Sequence, residues 1–144
     1  RSVYDGFFQD PRYRPSLTQQ RLVQAGFLGK KTGRGYYDYR AGAAMPEPAK
    51  DENVGGAIVD RIRAMLINEA VEALNLGVAG AEDIDVAMVK GVNYPKGLLA
   101  WCDELGAASV LATREWLQAE YGEDRYRASP LLRRTAREGR KFRA

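Results

Sequence analysis

Three features of the 144-residue sequence predict an all-α fold. Apolar residues recur at helical spacing over Ile58, Val59, Ile62, Met65, Leu66, Ala70, Ala73 and Leu74. Glycines at 77, 91, 106 and 122 each follow a periodic run, where a residue free to turn left-handed ends a helix. Strand signal is confined to Gly35-Tyr36-Tyr37-Asp38-Tyr39, which is too short to build a sheet.

The elements follow in order. Val3 to Phe8 reads as the end of a helix. Ser16 stands where an N-cap belongs, and Gln19 three residues on completes a capping-box pattern. Residues 40–54 contain Pro46 and Pro48 and lack apolar periodicity, the composition of a linker. A long helix is expected from about Gly56 to Leu76. A second, Ala81 to Lys90, has Glu82, Asp83 and Asp85 near its start and Lys90 at its end, matching the helix dipole. After the loop Asn93-Tyr94-Pro95-Lys96 come helices from Gly97 to Leu105 and from Ala107 to Tyr121. The last begins at Ser129, with Pro130 at the favoured first helical position.

An internal duplication underlies this order. Residues 12–16 read Arg-Tyr-Arg-Pro-Ser and residues 125–129 read Arg-Tyr-Arg-Ala-Ser. At the same offset Arg21 matches Arg134 and Gly26 matches Gly139, six identities in fifteen ungapped positions. Upstream, Phe8 falls opposite Tyr121 and Asp10 opposite Glu123. Each copy therefore closes in a short capped helix. Only the final helices of the first copy are present, so the chain is expected to start in mid-domain.

Composition narrows the chemistry. The sequence has no histidine, which excludes a Ser-His-Asp or Cys-His arrangement, histidine zinc ligands and a histidine base within this chain. One cysteine, Cys102, cannot form an internal disulfide and fits a reducing cytoplasm. No apolar run suggests a membrane span, and Arg1-Ser2-Val3-Tyr4 does not open a signal peptide. The net charge of +3 owes most to Arg133, Arg134, Arg137, Arg140, Lys141 and Arg143. Glu138 interrupts that run and Phe142 is its one aromatic, so it reads as a solvated helix end rather than a nucleic-acid tail.

Other candidates resolve to structural readings. Gly29-Lys30-Lys31-Thr32-Gly33-Arg34-Gly35 lacks the first glycine of a phosphate loop, where Gln24 stands, and no strand precedes it. It reads as a glycine-permitted turn after a helix stop. Glu69 and Glu72, with Asn68, lie near the apolar face of the long helix, and a carboxylate there more often serves structure than catalysis. Trp101 reads as core or interface, and Cys102 as a small buried residue with no adjacent base to activate it. Phe7, Phe8, Tyr13, Tyr36, Tyr37 and Tyr39 would close the hydrophobic face of the first copy, with some rings left for a protein partner.

The run from Gly26 to Tyr39, Gly-Phe-Leu-Gly-Lys-Lys-Thr-Gly-Arg-Gly-Tyr-Tyr-Asp-Tyr, resembles the closing signature of the C-terminal helical domain of the 3-hydroxyacyl-CoA dehydrogenases. Residues 55–142 resemble a second copy of that domain, through Ile58-Val59-Asp60-Arg61, Asn68-Glu69-Ala70, Glu82-Asp83-Ile84-Asp85, Tyr94-Pro95-Lys96-Gly97 and Leu131-Leu132-Arg133-Arg134. The domains expected are thus 1–39, the end of a first helical copy; 40–54, a linker; and 55–144, a second copy.

The resemblance implies the 3-hydroxybutyryl-CoA or 3-hydroxyadipyl-CoA dehydrogenase type, which oxidises a 3-hydroxyacyl-CoA to the 3-oxoacyl-CoA by hydride transfer to NAD. It places NAD and the His–Glu pair on a Rossmann domain outside this chain. It also places Asp60 where the first copy of the family carries an active-site asparagine, and Lys96 where that copy usually has methionine. A carboxylate cannot donate as an amide does, so the second copy departs from the catalytic pattern. The resemblance therefore implies no catalytic, cofactor-binding or metal-binding residue in this chain. Its expected roles are packing against its own Rossmann domain, dimer or pseudo-dimer assembly through helical domains, and closure of an acyl-CoA site, with no nucleic acid or membrane as partner. A stand-alone helical protein-interaction module is the other reading the residues permit.

Overall fold

The computed structural model describes residues 2–143, which divide into two units between Lys50 and Asp51. The first holds α1 (Ser2–Gly6), a 3-10 turn (Pro11–Tyr13), α2 (Leu17–Gln24) and a second 3-10 turn (Lys30–Thr32). The second holds α3 (Glu52–Asn75), α4 (Ala81–Gly91), α5 (Leu98–Leu105), α6 (Ala107–Tyr121), a 3-10 turn (Asp124–Tyr126) and α7 (Pro130–Glu138). Among the described residues β pairing is limited to two isolated bridges, Gly29 with Arg34 and Arg34 with Asp38, so the tyrosine-rich segment is a loop.

α3 starts earlier than its apolar periodicity predicts. Asp51 caps it, its carboxylate accepting from the Asn53 and Val54 N–H groups at 2.9 and 3.1 Å. The helix thus begins inside the stretch of linker composition, because a cap needs no hydrophobic neighbour. Its two halves then differ. From Ala64 onward Ala64, Ile67, Asn68, Ala70 and Val71 are buried, whereas Val54, Ile58, Val59 and Ile62 are exposed.

The core of the second unit gathers around that buried half. Ile67, Val71, Leu98, Leu99, Cys102, Val110 and Leu132 pack in one cluster. Each large aliphatic side chain so buried contributes roughly 1.5–3 kcal/mol relative to exposure. α3 lies against α5, α6 and α7, and α4 against α5. In the first unit no described residue is buried; Val3, Phe7, Phe8, Leu17, Val23, Leu28, Tyr36 and Tyr37 all face outward.

The duplication is conformational as well as sequential. The 3-10 turns at 11–13 and 124–126 occupy equivalent positions, and the residues after them, Arg14 (φ −62°, ψ 124°) and Arg127 (φ −59°, ψ 125°), match. Ser16 and Ser129 cap the helices that follow, their hydroxyls accepting from the Gln19 and Leu131 N–H groups. Both helices end in the same way: Phe27 N–H donates to Leu22 O, as Arg140 N–H donates to Thr135 O, around left-handed Gly26 and Gly139. Gln9 adopts φ 63°, where the second unit has Gly122 at the same angle.

Candidate functional site

The polar residues of the second unit converge where α3 crosses the closing turn and α7. Asn68 is fully buried; its Oδ1 accepts from the Ser129 N–H at 2.8 Å and its Nδ2 donates to Arg127 O at 3.4 Å. Buried Arg114, from α6, donates from Nη2 to Arg125 O and Arg127 O, both at 2.8 Å. Two residues at seven-residue spacing from Asn68 meet the same module. Arg61 lies over the Tyr121 and Tyr126 rings, 4.6 and 5.0 Å from their centroids, and Asn75 accepts from Arg134 at 3.2 Å. Two turns of helix bring a side chain back to the same face, so Arg61, Asn68 and Asn75 form one stripe. In the sequence Asn68 stands out as a neighbour of Glu69 and Glu72 and within the Asn68-Glu69-Ala70 resemblance, but nothing local shows that its amide bridges to residues some sixty positions away.

A second polar centre ties α4 to α5. Asp85 is buried, and its carboxylate accepts from the Leu99 and Ala100 N–H groups at 2.8 and 3.0 Å, capping α5 from another helix. Gly97 packs so closely on it that an added Cβ would fall 2.2 Å from the Asp85 Cγ. The chain beyond α7 folds back here, while the basic side chains of the tail stay exposed as a solvated end predicts. α7 ends at Glu138, and the Phe142 and Arg143 N–H groups then donate to Asp103 at 2.8 Å each, with Arg143 Nη1 3.3 Å from Asp85. The tail bends back because Asp103 on α5 offers two carboxylate oxygens to backbone donors and Phe142 packs on the core.

Asp60 and Lys96, which the resemblance sets apart from the family's catalytic pattern, each have an ion-pair partner. Asp60 is exposed and pairs with Arg63 Nη2 at 2.5 Å, beside a depression of about 120 Å³ lined by both and by Leu105, Ser109 and Thr113. Lys96 pairs with Glu104. Glu69 is half-buried and lies 3.5 Å from the Asn68 Nδ2; Glu72 is half-buried, with Oε2 shielded from solvent. Trp101 packs partly on the core, with Arg63 5.9 Å from its ring centroid.

Cys102 is fully buried, and burial, with the Asp103 charge second, pushes its thiol up to about 12. The thiolate is the reactive form, so the folded chain should resist alkylation. At pH 8 iodoacetamide labelling should rise several hundred-fold once urea unfolds the second unit; equal rates folded and unfolded would contradict this placement.

The three glycines of the glycine-rich loop have spent their backbone donors internally, as has Leu28 before it. Gly29 N–H donates to Arg34 O, Gly35 N–H to Tyr37 O, Gly33 N–H to Lys30 O, and Leu28 N–H to the Thr32 hydroxyl. A Cβ on Gly35 would meet the Gly29 Cα at 2.8 Å, so the two arms of the loop pack directly on each other. At the loop's end the Arg40 guanidinium, hydrogen-bonded to Asp38, holds that carboxyl well below the usual range.

Among the described residues no three His, Cys, Asp or Glu side chains gather in metal-binding geometry, and no helix is long and apolar enough to cross a membrane. The buried polar groups named above hold helix ends and connecting turns together, which defines a helical packing domain.

Its relatives say which one. The family model for the 3-hydroxyacyl-CoA dehydrogenase C-terminal domain matches residues 1–39 and 56–144, and the chain belongs to that family. It is 32% identical to the 3-hydroxyadipyl-CoA dehydrogenase of Escherichia coli K12, over 94% of this chain and 46% of that protein. It is 45% identical to the 3-hydroxybutyryl-CoA dehydrogenase of Clostridioides difficile, over 57% of this chain and 29% of that one. Among solved structures, the E. coli K12 3-hydroxybutyryl-CoA dehydrogenase superposes with a TM-score of 0.77 at 30% identity, covering 96% of this chain and 47% of that one. The chain spans about half the length, or less, of the relatives it matches.

Proposed function

We propose that this chain is the helical part of an NAD-dependent 3-hydroxyacyl-CoA dehydrogenase acting in a reducing cytoplasm. Residues 1–39 close one helical copy, 40–54 link, and 55–144 form a second copy that serves assembly and closure of the acyl-CoA site without an active site of its own. When bound, NAD supplies the hydride acceptor; the residues that hold it belong to a Rossmann domain elsewhere in the parent enzyme. Asp60, an acceptor-only carboxylate already paired with Arg63, supports the separation of this copy from the chemistry.

The observation that carries the assembly role is the uncovered apolar face of α3. Val54, Ile58, Val59 and Ile62 lie on its first turns, continuous with a second half that is packed. A face of that kind on a helix already anchored at one end suits a second helical domain, in the same chain or in a partner subunit. Deleting residues 55–144 from the parent enzyme should change its oligomeric state, measured by light scattering, or lower its melting temperature by several degrees. An enzyme with unchanged assembly, stability and turnover after that deletion would remove the assembly role.

A further inference from the structure

The chain turns sharply after α7. Gly139, at φ 62°, ends the helix, and the Arg140 N–H closes it onto the Thr135 carbonyl. Phe142 and Arg143 carry the anchoring that follows. Their consecutive N–H groups donate to Asp103 at 2.8 Å each, the first to Oδ1 and the second to Oδ2. The Phe142 ring packs on the core cluster, and Arg143 Nη1 lies 3.3 Å from Asp85 Oδ2. Between turn and anchor, Arg140 and Lys141 are exposed, and Arg140 pairs with Glu138 beside the turn.

The anchoring uses three kinds of recognition. Two successive backbone N–H groups form a donor pair that grips a carboxylate whatever side chains they carry. The ring needs an apolar seat, and the guanidinium needs the edge of a second carboxylate. None of these receiving groups depends on the tail. Asp85 holds the Leu99 and Ala100 N–H groups at 2.8 and 3.0 Å by itself, so α4 and α5 stay joined without Arg143. α7 is closed before the tail begins, and its packing on α3 and α6 lies upstream. A segment tied near its end by a few partly exposed polar bonds opens at lower free energy than packed helices do.

We infer that the corner of α4 and α5 is a receptor for a Phe-Arg segment, and that residues 140–143 occupy it as a strap that opens while the helices stay folded. Gly139 is the hinge and Asp103 is the catch for the backbone. The apolar seat reads the ring, and Asp85 reads the guanidinium. Opening bares the Asp103 carboxylate and the seat together. A peptide that offers two consecutive N–H groups, an aromatic ring and an arginine then takes the strap's place.

Two measurements test this. In the intact isotope-labelled chain, hydrogen exchange at rising urea should show the Phe142 and Arg143 amides opening before those of Leu99 and Ala100, which wait for the unit to unfold. Exchange of all four amides in a single step would overturn an independent strap. In a chain shortened after Gly139, the helical circular dichroism should be kept; its loss would overturn the strap equally. An amidated synthetic peptide of residues 139–143 should bind that shortened chain and shift the resonances of Leu99 and Asp103. Asp103→Asn in the shortened chain should weaken the peptide about tenfold, and so should Phe142→Ala in the peptide. A folded shortened chain that ignores the peptide, or an affinity indifferent to either substitution, would reduce the tail to a passive end and remove the receptor.

Discussion

Gly97→Ala is expected to destabilise the second unit by about 3 kcal/mol, a large loss for a methyl group. Backbone freedom is not the reason, since Gly97 has φ −64°, which any residue adopts. Space is. The new Cβ would sit 2.2 Å from the Asp85 Cγ and 2.4 Å from its Cβ and Oδ2. The carboxylate cannot step aside without giving up the Leu99 and Ala100 N–H groups, leaving two helix-end donors and a buried charge short of partners. Gly91→Ala is the control: nothing lies within 4 Å of an added Cβ there, and its backbone is helical. Urea unfolding followed by circular dichroism should show a markedly lower midpoint for Gly97→Ala and little change for Gly91→Ala. Similar midpoints for the two variants would mean that α4 and α5 are not locked as described.

Asn68→Leu should cost a comparable amount, about 2–4 kcal/mol. Leucine fills most of the volume but offers no acceptor, so the Ser129 N–H is left buried and unpaired at the start of α7. The Arg127 carbonyl still has Arg114, so the loss concentrates on the donor. Asn75→Leu removes only a bond to the exposed Arg134 and should cost less than about 1 kcal/mol. Chemical denaturation of the two variants decides the matter, and a cost for Asn68→Leu no greater than that for Asn75→Leu would deny the amide its bridging role.

Much of this architecture was legible because helix boundaries are written locally. Ser16 and Ser129 cap, Gly26, Gly122 and Gly139 turn left-handed, and an apolar repeat marks α3. The register of the duplication could likewise be read from identities alone, and the conformations at 11–16 and 124–129 follow it. The start of α3 escaped that reading, since Asp51 caps the helix ahead of its first packed residue. So did the bend of the tail onto Asp103, some forty positions away, although its basic side chains stay exposed as a solvated end predicts.

The candidate site shows the same division more sharply. The absence of histidine is a property of the residues themselves and needs no coordinates. Which carboxylates and amides matter is different. Glu69 and Glu72 drew notice by lying near an apolar stripe, yet the polar residues held in the interior are Asn68, Asp85, Arg114, Ser129 and Thr135.

By itself, then, the sequence determined an all-helical chain with a repeated capped ending and no histidine chemistry, because caps, stops and composition act over a few residues. Only the tertiary structure decided that one long helix carries Arg61, Asn68 and Asn75 onto that repeated ending, and that Gly97 must be small. Those facts depend on hydrogen bonds and contacts between segments far apart in the chain, and the strength of a buried donor or acceptor is set by what folding places opposite it.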